Sequence, residues 1–472
     1  MMGKILLTEA SGYIGSHLKD KLKVNHEIIA ISRNAQNKKN EKNVTWKSAD
    51  LFDLDAITEV MKGIDTAIYL GHSMKTSAKL TQANFEDMDA LLADNVGRVA
   101  KKHGVKHIIF MSGIITNDSH LSLHLKSRLE CEKILRYYGV PVSTLRAGLI
   151  IDSNGSSYPI FKRMIERLSA MILPNWAYNM IAPVSMDDVI DKLAMLVERS
   201  PKENEVFNIT RPKVMNYQEL FERIATILDK HLFILHLPTI LIRLSRYWIK
   251  EKMNGKENVK KALKEKQDEQ QIITTKQSKS KSNQNKRDEV KDVRAMTRFR
   301  IPESYSIQDV TREYAEFINN ITLHLVNGTI NEHEFNIQLP LIRKCILKMK
   351  RDNHDSINEM IVYKIVGGDL AMVKDSSNAR FEFRRILDTN EGIAALQGYE
   401  PTLPWGVYKF TQAIAHKFVM GVFKQYMNHL ASYEKDKQDS VNKIFTNLAM
   451  TTGVMFGACV GTRIYNKVLA KK

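Results

Sequence analysis

The amino-acid sequence predicts an α/β protein: a doubly wound parallel sheet, followed by a flexible linker and an α+β domain. Short apolar runs alternate with helical patterns over about the first 245 residues, which indicates parallel strands with helices on both faces. A glycine-containing turn follows the first of these runs. The chain has 472 residues. Because single cores stop growing at about 250–300 residues, we expect two domains.

The first domain, residues 1–249, is predicted to alternate strands and helices. The apolar runs predict strands at residues 4–8, 27–32, 67–70, 107–111 and 142–145. Helical patterns lie between them, at residues 13–24, 54–61, 90–103 and 125–138. A further apolar run at 232–244, interrupted by Pro238, is too short to span a membrane and is predicted to be the closing helix of this domain.

The strongest functional signal is the turn between the first strand and the first helix, Leu7-Thr8-Glu9-Ala10-Ser11-Gly12-Tyr13-Ile14-Gly15. A dinucleotide needs backbone that approaches its pyrophosphate closely, and a helix N-terminus whose free N–H groups meet the phosphates. Gly12 permits the close approach, and Gly15 permits tight packing of the helix on the strand. This turn therefore predicts a dinucleotide site.

Glu9 departs from the usual fingerprint, which has glycine at this place to allow a tight turn. The glutamate adds a Cβ and a negative charge near the expected pyrophosphate. Binding survives if the side chain points to solvent, and it is weakened or lost if the side chain points inward. The alternative is a fold that has lost its cofactor, because a fold does not by itself establish a function.

The end of the second predicted strand favours NADP(H) over NAD(H). NAD-binding proteins place Asp or Glu there for the ribose hydroxyls. This chain has Ser32-Arg33-Asn34, and a hydroxyl followed by a guanidinium suits a 2′-phosphate. The alternative is that Arg33 is an ordinary solvated surface residue.

Several segments together resemble a known family over about residues 3–245. They are Ser11–Gly15, Ser48–Leu51, Tyr69–Ser73, Asn95–Gly104, His107–Gly113, His124–Arg128, Leu145–Ile151 and Phe207–Thr210. As a set they are similar to the atypical short-chain dehydrogenase/reductases of the NmrA-like group, which are related to the accessory NAD(P)H-binding subunit of respiratory complex I. The resemblance implies a Rossmann-like domain with an NAD(P)H site.

The resemblance also implies where the cofactor lies. It implies that four residues line the pyrophosphate: Ser11, Gly12, Tyr13 and Ile14. Gly15, which follows them, packs the helix against the strand. It places Arg33 at the adenosine phosphate and Asp50 and Leu51 beside the adenine. Along the nicotinamide side it places Gly71, His72 and Ser112.

The proton-transfer pair of the superfamily is replaced in this chain. Dehydrogenases of this type use a Tyr with a Lys four residues later, whereas this chain has His124 and Arg128. Arginine stays protonated and cannot substitute for the tuned lysine. His124 is either an acid near neutral pH or a structural residue. Alcohol–ketone chemistry is therefore not expected.

Two functions remain open from the sequence. One is an NAD(P)H-dependent oxidoreductase that passes hydride directly to a quinone or another small apolar acceptor, which needs no Tyr/Lys pair. The alternative is a non-catalytic NADP(H)-binding sensor or scaffold. No catalytic residue is predicted for either function, and no metal site, because the three cysteines (Cys131, Cys345 and Cys459) lie far apart.

After the predicted linker at 250–292, a second domain over residues 293–434 is expected. A helix is predicted at 306–318, strands at 321–325, 334–339, 360–366 and 380–386, and a long helix from Leu403-Pro404-Trp405. Along that helix one apolar stripe repeats, interpreted as core packing: Val407, Phe410, Ile414, Phe418, Val422 and Tyr426.

The second domain has a resemblance of its own. Phe381–Arg384, Leu403–Trp405, Tyr408–Ala413 and Val419-Met420 are similar to an uncharacterised domain that is found fused after such Rossmann domains. That domain is similar to helix-grip folds of the START/polyketide-cyclase type. The resemblance implies a small apolar ligand held between a sheet and a long helix.

The net charge of +17 is distributed unevenly. Residues 250–300 carry +8 and residues 440–472 carry +5, so the two folded parts are nearly neutral. Nucleic-acid binding, which rests on charge alone, is therefore not expected.

The tail at 440–472 is apolar over 444–461 and has basic flanks, which suits an anionic membrane surface. The alternative is a C-terminal helix packed on the protein. With no signal-peptide pattern and no disulfide framework, we expect a cytoplasmic protein, held at a membrane if the tail binds there.

Overall fold

The computed structural model describes residues 3–71, 78, 80–115, 121–152, 155, 158–168, 170–210, 214–237, 292–353, 356, 359–373, 378–386 and 389–433. His72, the predicted tail at 440–472 and the predicted linker up to residue 291 lie outside these ranges. The described residues form two compact units. The first holds residues 3–71 and 92–237, and the second holds residues 78–91 and 292–433.

The first half of the chain supplies fourteen described strands and seven described helices. The strands are β1 (Lys4–Leu7), β2 (Glu27–Ser32), β3 (Val44–Ser48), β4 (Thr66–Tyr69), β5 (Leu80–Gln82), β6 (His107–Gly113), β7 (Val142–Ala147), β8 (Leu149–Ile151), β9 (Ala170–Pro174), β10 (Met180–Ile181), β11 (Pro183–Ser185), β12 (Glu205–Ile209), β13 (Met215–Asn216) and β14 (Phe233–Leu237). The helices are α1 (Tyr13–Leu22), α2 (Leu54–Met61), α3 (Phe85–Lys102), α4 (Leu123–Tyr137), α5 (Tyr158–Arg167), α6 (Met186–Val197) and α7 (Tyr217–Ile227).

Seven parallel strands form the sheet of the first unit, in the order β12-β7-β6-β4-β1-β2-β3. The chain builds outward from β1 to β3 on one side, then returns to β4 and builds outward on the other. The predicted doubly wound, Rossmann-like sheet is therefore confirmed. In such a sheet ligands bind beyond the carboxyl ends of the strands where the winding reverses, here between β1 and β4.

The central strands are apolar because helices cover both faces of the sheet. Ile5, Leu7, Ile28, Ile68 and Ile109 are all buried. Strands buried on both faces lack the polar alternation of a half-exposed strand, so they appear as continuous apolar runs. This property made them recognisable in the sequence.

Smaller strand pairs complete the first unit: β8 with β11, β9 with β14, and β10 with β13. The predicted closing helix at 232–244 was wrong over its described part, because Phe233–Leu237 is strand β14, paired in parallel with β9. Phe-Ile-Leu-His-Leu favours an extended strand, and Pro238 restricts the residue before it to extended conformations.

The second unit combines a mixed sheet with helices, as the α+β prediction requires. Its further strands are β15 (Val293–Arg300), β16 (Asn327–Ile330), β17 (Glu334–Leu339), β18 (Lys344–Arg351), β19 (Met360–Gly367), β20 (Arg380–Ile386) and β21 (Glu391–Tyr399). Its further helices are α8 (Ile307–Ile321), α9 (Trp405–Phe410) and α10 (Gln412–Tyr433). The strand order is β16-β17-β18-β19-β20-β21-β15-β5, antiparallel except for the β15–β5 pair.

Alternation along β20 shows how this sheet is covered. Phe381 and Phe383 enter the core shared with helices α8 and α10. The residues between and beside them, Arg380, Glu382 and Arg384, point to the opposite face and are also buried. Glu382 Oε1 lies 3.0 Å from Arg384 Nη2, and Glu382 Oε2 lies 3.4 Å from Arg380 Nε. Both faces of β20 are therefore shielded from water, one by apolar packing and one by paired charges.

Two sequence predictions in the second unit were wrong. Residues 321–325 are not a strand: they end α8 and form a turn in which Leu323 and His324 have positive φ. The apolar stripe is not buried throughout. Val422 and Tyr426 lie in the core, but Val407, Phe410 and Ile414 are exposed, because Tyr408 and Ala413 are the residues that enter the core at this end of the helical pair. Thr411 (φ −123°, ψ −83°) separates α9 from α10.

A segment from the first half of the chain is built into the second unit. Strand β5 pairs in parallel with β15, and Gln82 Nε2 donates to the carbonyl of Ala413 at 3.1 Å. Asp87, near the start of α3, is buried and accepts from Arg298 Nε at 2.7 Å. Burial raises the pKa of the Asp87 carboxyl, and the guanidinium of Arg298 opposes that shift.

No helix among the described residues is long and apolar enough to cross a membrane.

Replacing Arg298 with alanine is expected to lower the free energy of unfolding at pH 8 by about 3 kcal/mol, because it leaves the Asp87 carboxylate buried without its guanidinium. The pKa of Asp87 would rise further, so the folded state would hold a proton that the unfolded chain has released. The loss is therefore expected to shrink as the pH falls toward 4.5. Urea unfolding at the two pH values measures this.

The control is Lys344→Ala, because the Lys344–Asp369 pair is exposed on both sides and should contribute at most about 0.5 kcal/mol. Asp87→Asn combined with Arg298→Ala should recover part of the loss at pH 8. If Arg298→Ala and Lys344→Ala lowered the free energy of unfolding equally, the buried Asp87–Arg298 pair would contribute no more to stability than the exposed pair.

Candidate functional site

The predicted site residues come together at one edge of the first sheet. Ser11–Gly15 follow β1, Arg33 follows β2, Asp50 and Leu51 follow β3, Gly71 follows β4, and Ser112 lies near the end of β6. These five strands are adjacent in the order β6-β4-β1-β2-β3. The edge is the carboxyl end of the sheet, where the winding reverses. His72 is the one predicted site residue outside the described ranges.

A tight turn joins β1 to α1. Glu9 has a positive φ of 52°, and the backbone N–H of Gly12 donates to the Glu9 carbonyl at 2.7 Å. The backbone therefore adopts the left-handed conformation that glycine would provide, although the residue is glutamate. A left-handed non-glycine residue costs about 1–2 kcal/mol.

Gly15 is required by close packing of α1 on this turn. A Cβ at Gly15 would lie 2.2 Å from the Glu9 carbonyl oxygen and 2.9 Å from Ala10 Cα. These neighbours are backbone atoms, which cannot move aside cheaply. Gly15 therefore sets the distance between α1 and the end of β1, as the sequence predicts.

Helix α1 begins without a side-chain cap. Gly12 occupies the N-cap position, and no side chain there accepts a hydrogen bond from the first turn. Helix N-termini carry unsatisfied N–H groups and a partial positive charge. The start of α1 is therefore suited to an anionic ligand group.

The Glu9 side chain is exposed, yet it lies beside the Gly12 backbone. Its Oε2 is 3.7 Å, and its Cβ 3.8 Å, from the point where a Cβ on Gly12 would be. The carboxylate thus remains in solvent but next to the surface that a phosphate would approach. The sequence left open whether the Glu9 side chain points to solvent or toward the pyrophosphate. In the structure it is exposed to solvent and also lies beside Gly12, where the pyrophosphate is expected.

Polar side chains tie the turn to its neighbours. Ser11 Oγ lies 3.4 Å from Ser32 Oγ, which links the turn to the end of β2. The Tyr13 hydroxyl donates to Asp152 Oδ2, and the Tyr13 ring packs edge-on against His17 with centroids 5.3 Å apart. Asp152 was not recognised in the sequence, because nothing in its spacing relates it to a tyrosine 139 residues earlier.

The predicted adenine side is formed by the ends of β2 and β3. Arg33 is exposed, and its carbonyl accepts from Ser48 Oγ at 2.9 Å. Asp50 is half-buried and its Oδ1 accepts from the backbone N–H of Phe52 at 3.1 Å. The aspartate therefore helps to order the turn after β3, and Arg33 lies at the surface after β2.

The predicted nicotinamide side is more enclosed. Gly71 is buried, and a Cβ there would lie 2.5 Å from the Tyr69 ring and 3.1 Å from Leu51 Cδ1. Ser112 is 6% exposed, and among the described residues its Oγ has no hydrogen-bond partner. A buried hydroxyl without a partner is rare in folded proteins, so it marks a place for a ligand group or water.

Arg128, at the place of the usual lysine, is a structural cation. It is 4% exposed, and its guanidinium donates to the carbonyl of Gly71 at 3.1 Å and to that of Met111 at 2.6 Å. It also lies 4.5 Å from the centroid of the Phe110 ring. Arg128 therefore holds the ends of β4 and β6 together. His124 is half-buried on the first turn of the same helix, α4.

The described residues contain no group of three or more His, Cys, Asp or Glu side chains that could hold a metal ion.

Comparison with known proteins agrees with this geometry. Residues 10–168 match a family model described as NAD(P)H-binding. Over 147 residues the chain is 35% identical to auxiliary protein GraX of Staphylococcus aureus (strain NCTC 8325 / PS 47), a match that covers 30% of this chain and 44% of GraX. The chain thus spans less than half of the length of that relative.

Solved structures of sugar-nucleotide enzymes are also similar over half of the chain. UDP-glucose 4-epimerase of Thermotoga maritima with UDP-glucose is 19% identical, with a TM-score of 0.42, and 85% of it is covered. MoeE5 in complex with UDP-glucuronic acid and NAD is 17% identical, with a TM-score of 0.42 and 86% covered. A nucleoside-diphosphate-sugar epimerase of Staphylococcus aureus is 17% identical, with a TM-score of 0.42 and 80% covered. Each match spans 50% of this chain.

At these identities and scores, the solved structures carry no conclusion about the activity of this chain. The family match is more direct, because it spans helices α1 to α5 and strands β2 to β8. Residues 10–168 are therefore similar to the NAD(P)H-binding family.

Proposed function

We propose that the first unit binds NADP(H) across the carboxyl edge of its sheet, between β1 and β4. The observation that carries this proposal is the turn after β1. Gly15 brings α1 to within contact of the Glu9 carbonyl, and α1 then begins at Gly12 with no side-chain cap. An uncapped helix N-terminus at the switch point of a doubly wound sheet suits a pyrophosphate.

The described residues fit such a cofactor. The backbone at Ser11–Ile14 would meet the pyrophosphate, with Gly12 offering no side chain to block it. Asp50 and Leu51 would flank the adenine. Gly71 and the Ser112 hydroxyl, which has no hydrogen-bond partner within the described ranges, would lie along the nicotinamide side. His72, which the resemblance adds to this side, lies outside those ranges. The one feature that disagrees is the Glu9 carboxylate beside Gly12.

The preference for NADP(H) rests on Arg33. It is exposed directly after β2, where an acidic residue would accept the ribose hydroxyls of NAD(H). Ser32 precedes it at the end of β2, and its hydroxyl lies 3.4 Å from that of Ser11 in the turn after β1. A guanidinium with neighbouring hydroxyls matches a 2′-phosphate in charge and geometry.

The side chains at the nicotinamide side limit the chemistry. A bound dihydronicotinamide would supply a hydride. Arg128 cannot take part in proton transfer, because it is buried and committed to the Gly71 and Met111 carbonyls. We therefore propose hydride transfer to a quinone or another small apolar acceptor. The second candidate is an NADP(H)-binding sensor or scaffold without turnover, and the absence of the Tyr/Lys pair favours it.

The two candidates differ in one measurement. A reductase would oxidise NADPH in the presence of a short-chain quinone, with first-order dependence on enzyme. A sensor would bind NADPH and show no acceptor-dependent oxidation with quinones or carbonyl compounds. Failure to bind either NADPH or NADH would contradict both.

Arg33→Ala is expected to weaken NADPH binding about tenfold or more and to leave NADH binding within about twofold, because only NADPH has a 2′-phosphate for the guanidinium. Titration calorimetry with both nucleotides measures this. The matched control is Arg163→Ala, which removes a surface arginine on α5. If Arg33→Ala weakens the binding of NADPH and NADH equally, Arg33 does not contact the 2′-phosphate.

Glu9→Gln is expected to strengthen the binding of NADPH and NADH severalfold, because it removes a negative charge beside the pyrophosphate while keeping the size of the side chain. Glu9→Gly removes the charge and also the left-handed strain, so it should bind at least as tightly. Titrations at low and high salt measure the effect, which should shrink with added salt. An unchanged affinity in Glu9→Gln would mean that the carboxylate does not face the phosphates.

Arg128→Met is expected to lower the free energy of unfolding by about 2–4 kcal/mol, because two carbonyls at the ends of β4 and β6 lose their buried donor. Arg128→Lys should restore only part of it, since an ammonium lacks the fork that spans both carbonyls. The control is Lys126→Met, an exposed position on the same helix. A small loss in Arg128→Met, equal to that of the control, would argue against a structural role.

A further inference from the structure

Three large apolar side chains face solvent at the start of the C-terminal helical pair. Val407 is 49% exposed, Phe410 72% and Ile414 55%. They recur at intervals of three and four residues, while Tyr408 and Ala413 enter the core instead. We call Val407, Phe410 and Ile414 the outer face. A singly exposed apolar residue is ordinary, but three within eight residues at helical spacing indicate a patch.

The charged side chains of the two helices that carry the outer face have one sign. Residues 405–433, which make up α9, α10 and the residue between them, contain three lysines and no Asp or Glu. Lys409 and Lys417 are exposed close to the patch in the sequence. Lys409 Nζ lies 5.8 Å from the centroid of the Phe410 ring, so an ammonium group accompanies the most exposed apolar side chain.

We propose that the outer face binds the surface of an anionic lipid bilayer. Phe410, Ile414 and Val407 would enter the boundary between head groups and acyl chains. Lys409 and Lys417 would stay at the level of the lipid phosphates, since long basic side chains keep their charge in water while their stems lie along apolar surface. This proposal does not depend on the nucleotide site.

Charge also argues against a second copy as the occupant. In a symmetric pair the same patch meets itself, which would bring Lys409 and Lys417 of one copy against those of the other. Like charges facing each other disfavour that contact. An anionic surface removes the repulsion and accepts projecting side chains without needing a matching groove. A single small patch gives weak, reversible binding that salt diminishes.

The test is sedimentation of the full chain with large unilamellar vesicles, either of phosphatidylglycerol and phosphatidylcholine in equal amounts or of phosphatidylcholine alone. The wild type is expected to bind the anionic vesicles, and binding should fall strongly between 0.1 and 0.5 M NaCl. Phe410→Ser with Ile414→Ser should lower the partition coefficient about tenfold at 0.1 M NaCl. The double variant Lys409→Gln/Lys417→Gln should bind the anionic vesicles more weakly than the wild type. Its binding should also change less between 0.1 and 0.5 M NaCl.

Two matched controls remove equally exposed apolar side chains elsewhere. Ile227 is 75% and Leu341 80% exposed, and Ile227→Ser and Leu341→Ser should leave vesicle binding unchanged. Residues 440–472 remain in every variant, so their contribution is constant. Circular dichroism verifies that each variant is folded.

Three outcomes would overturn the proposal. One is no binding of the wild type to anionic vesicles. The second is equal binding by wild type and the Phe410/Ile414 variant. The third is a wild-type dimer in analytical ultracentrifugation that the same variant converts to a monomer, which would make the outer face an interface between two copies.

Discussion

The first unit depends on the contact between Gly15 and the carbonyl of Glu9. With no Cβ at Gly15, α1 can start close to the end of β1, and its uncapped N-terminus then lies at the carboxyl edge of the sheet. The same carbonyl accepts from the Gly12 N–H, so one oxygen closes the turn and limits the approach of the helix. Ser11, Tyr13 and Ile14 take their positions from this contact. A larger residue at position 15 would displace all three together.

Arg128 connects the ends of β4 and β6 and occupies the position at which related dehydrogenases have a catalytic lysine. A lysine there would be free to lower the pKa of a tyrosine, but this guanidinium is occupied by the Gly71 and Met111 carbonyls and by the Phe110 ring. The ends of β4 and β6 are thereby fixed on the side where the resemblance places the nicotinamide. The parallel sheet and the glycine-containing turn are present while the Tyr/Lys pair is absent, so nucleotide binding is a better supported proposal than alcohol oxidation.

The sequence predicted the parts of the fold whose signal is local. Continuous apolar runs identified the central strands, and Asp53, which accepts from the N–H groups of Asp55 and Ala56, begins α2 where the pattern predicted. Partners distant in sequence left no local signal: Asp152 meets Tyr13, and Ser32 meets Ser11, through the fold alone. Periodicity also failed in the C-terminal helical pair. A repeat of three and four residues shows that one face is apolar but not which face meets the core, and here Tyr408 and Ala413 enter the core. The exposure of Phe410 was therefore not predicted.

Composition places a domain boundary in the basic segment before residue 292, yet part of the second unit lies far upstream of it. Strand β5 covers the edge of β15, and Asp87 neutralises Arg298 on that same strand. A fragment starting at residue 293 would therefore expose the backbone edge of β15 and remove Asp87, the buried carboxylate that pairs with Arg298. Exposed edges promote aggregation, and half of a buried pair is destabilising. Poor behaviour of such a fragment would thus reflect missing residues 80–87 rather than an inherently unstable domain, and the second unit has to be studied within the full chain.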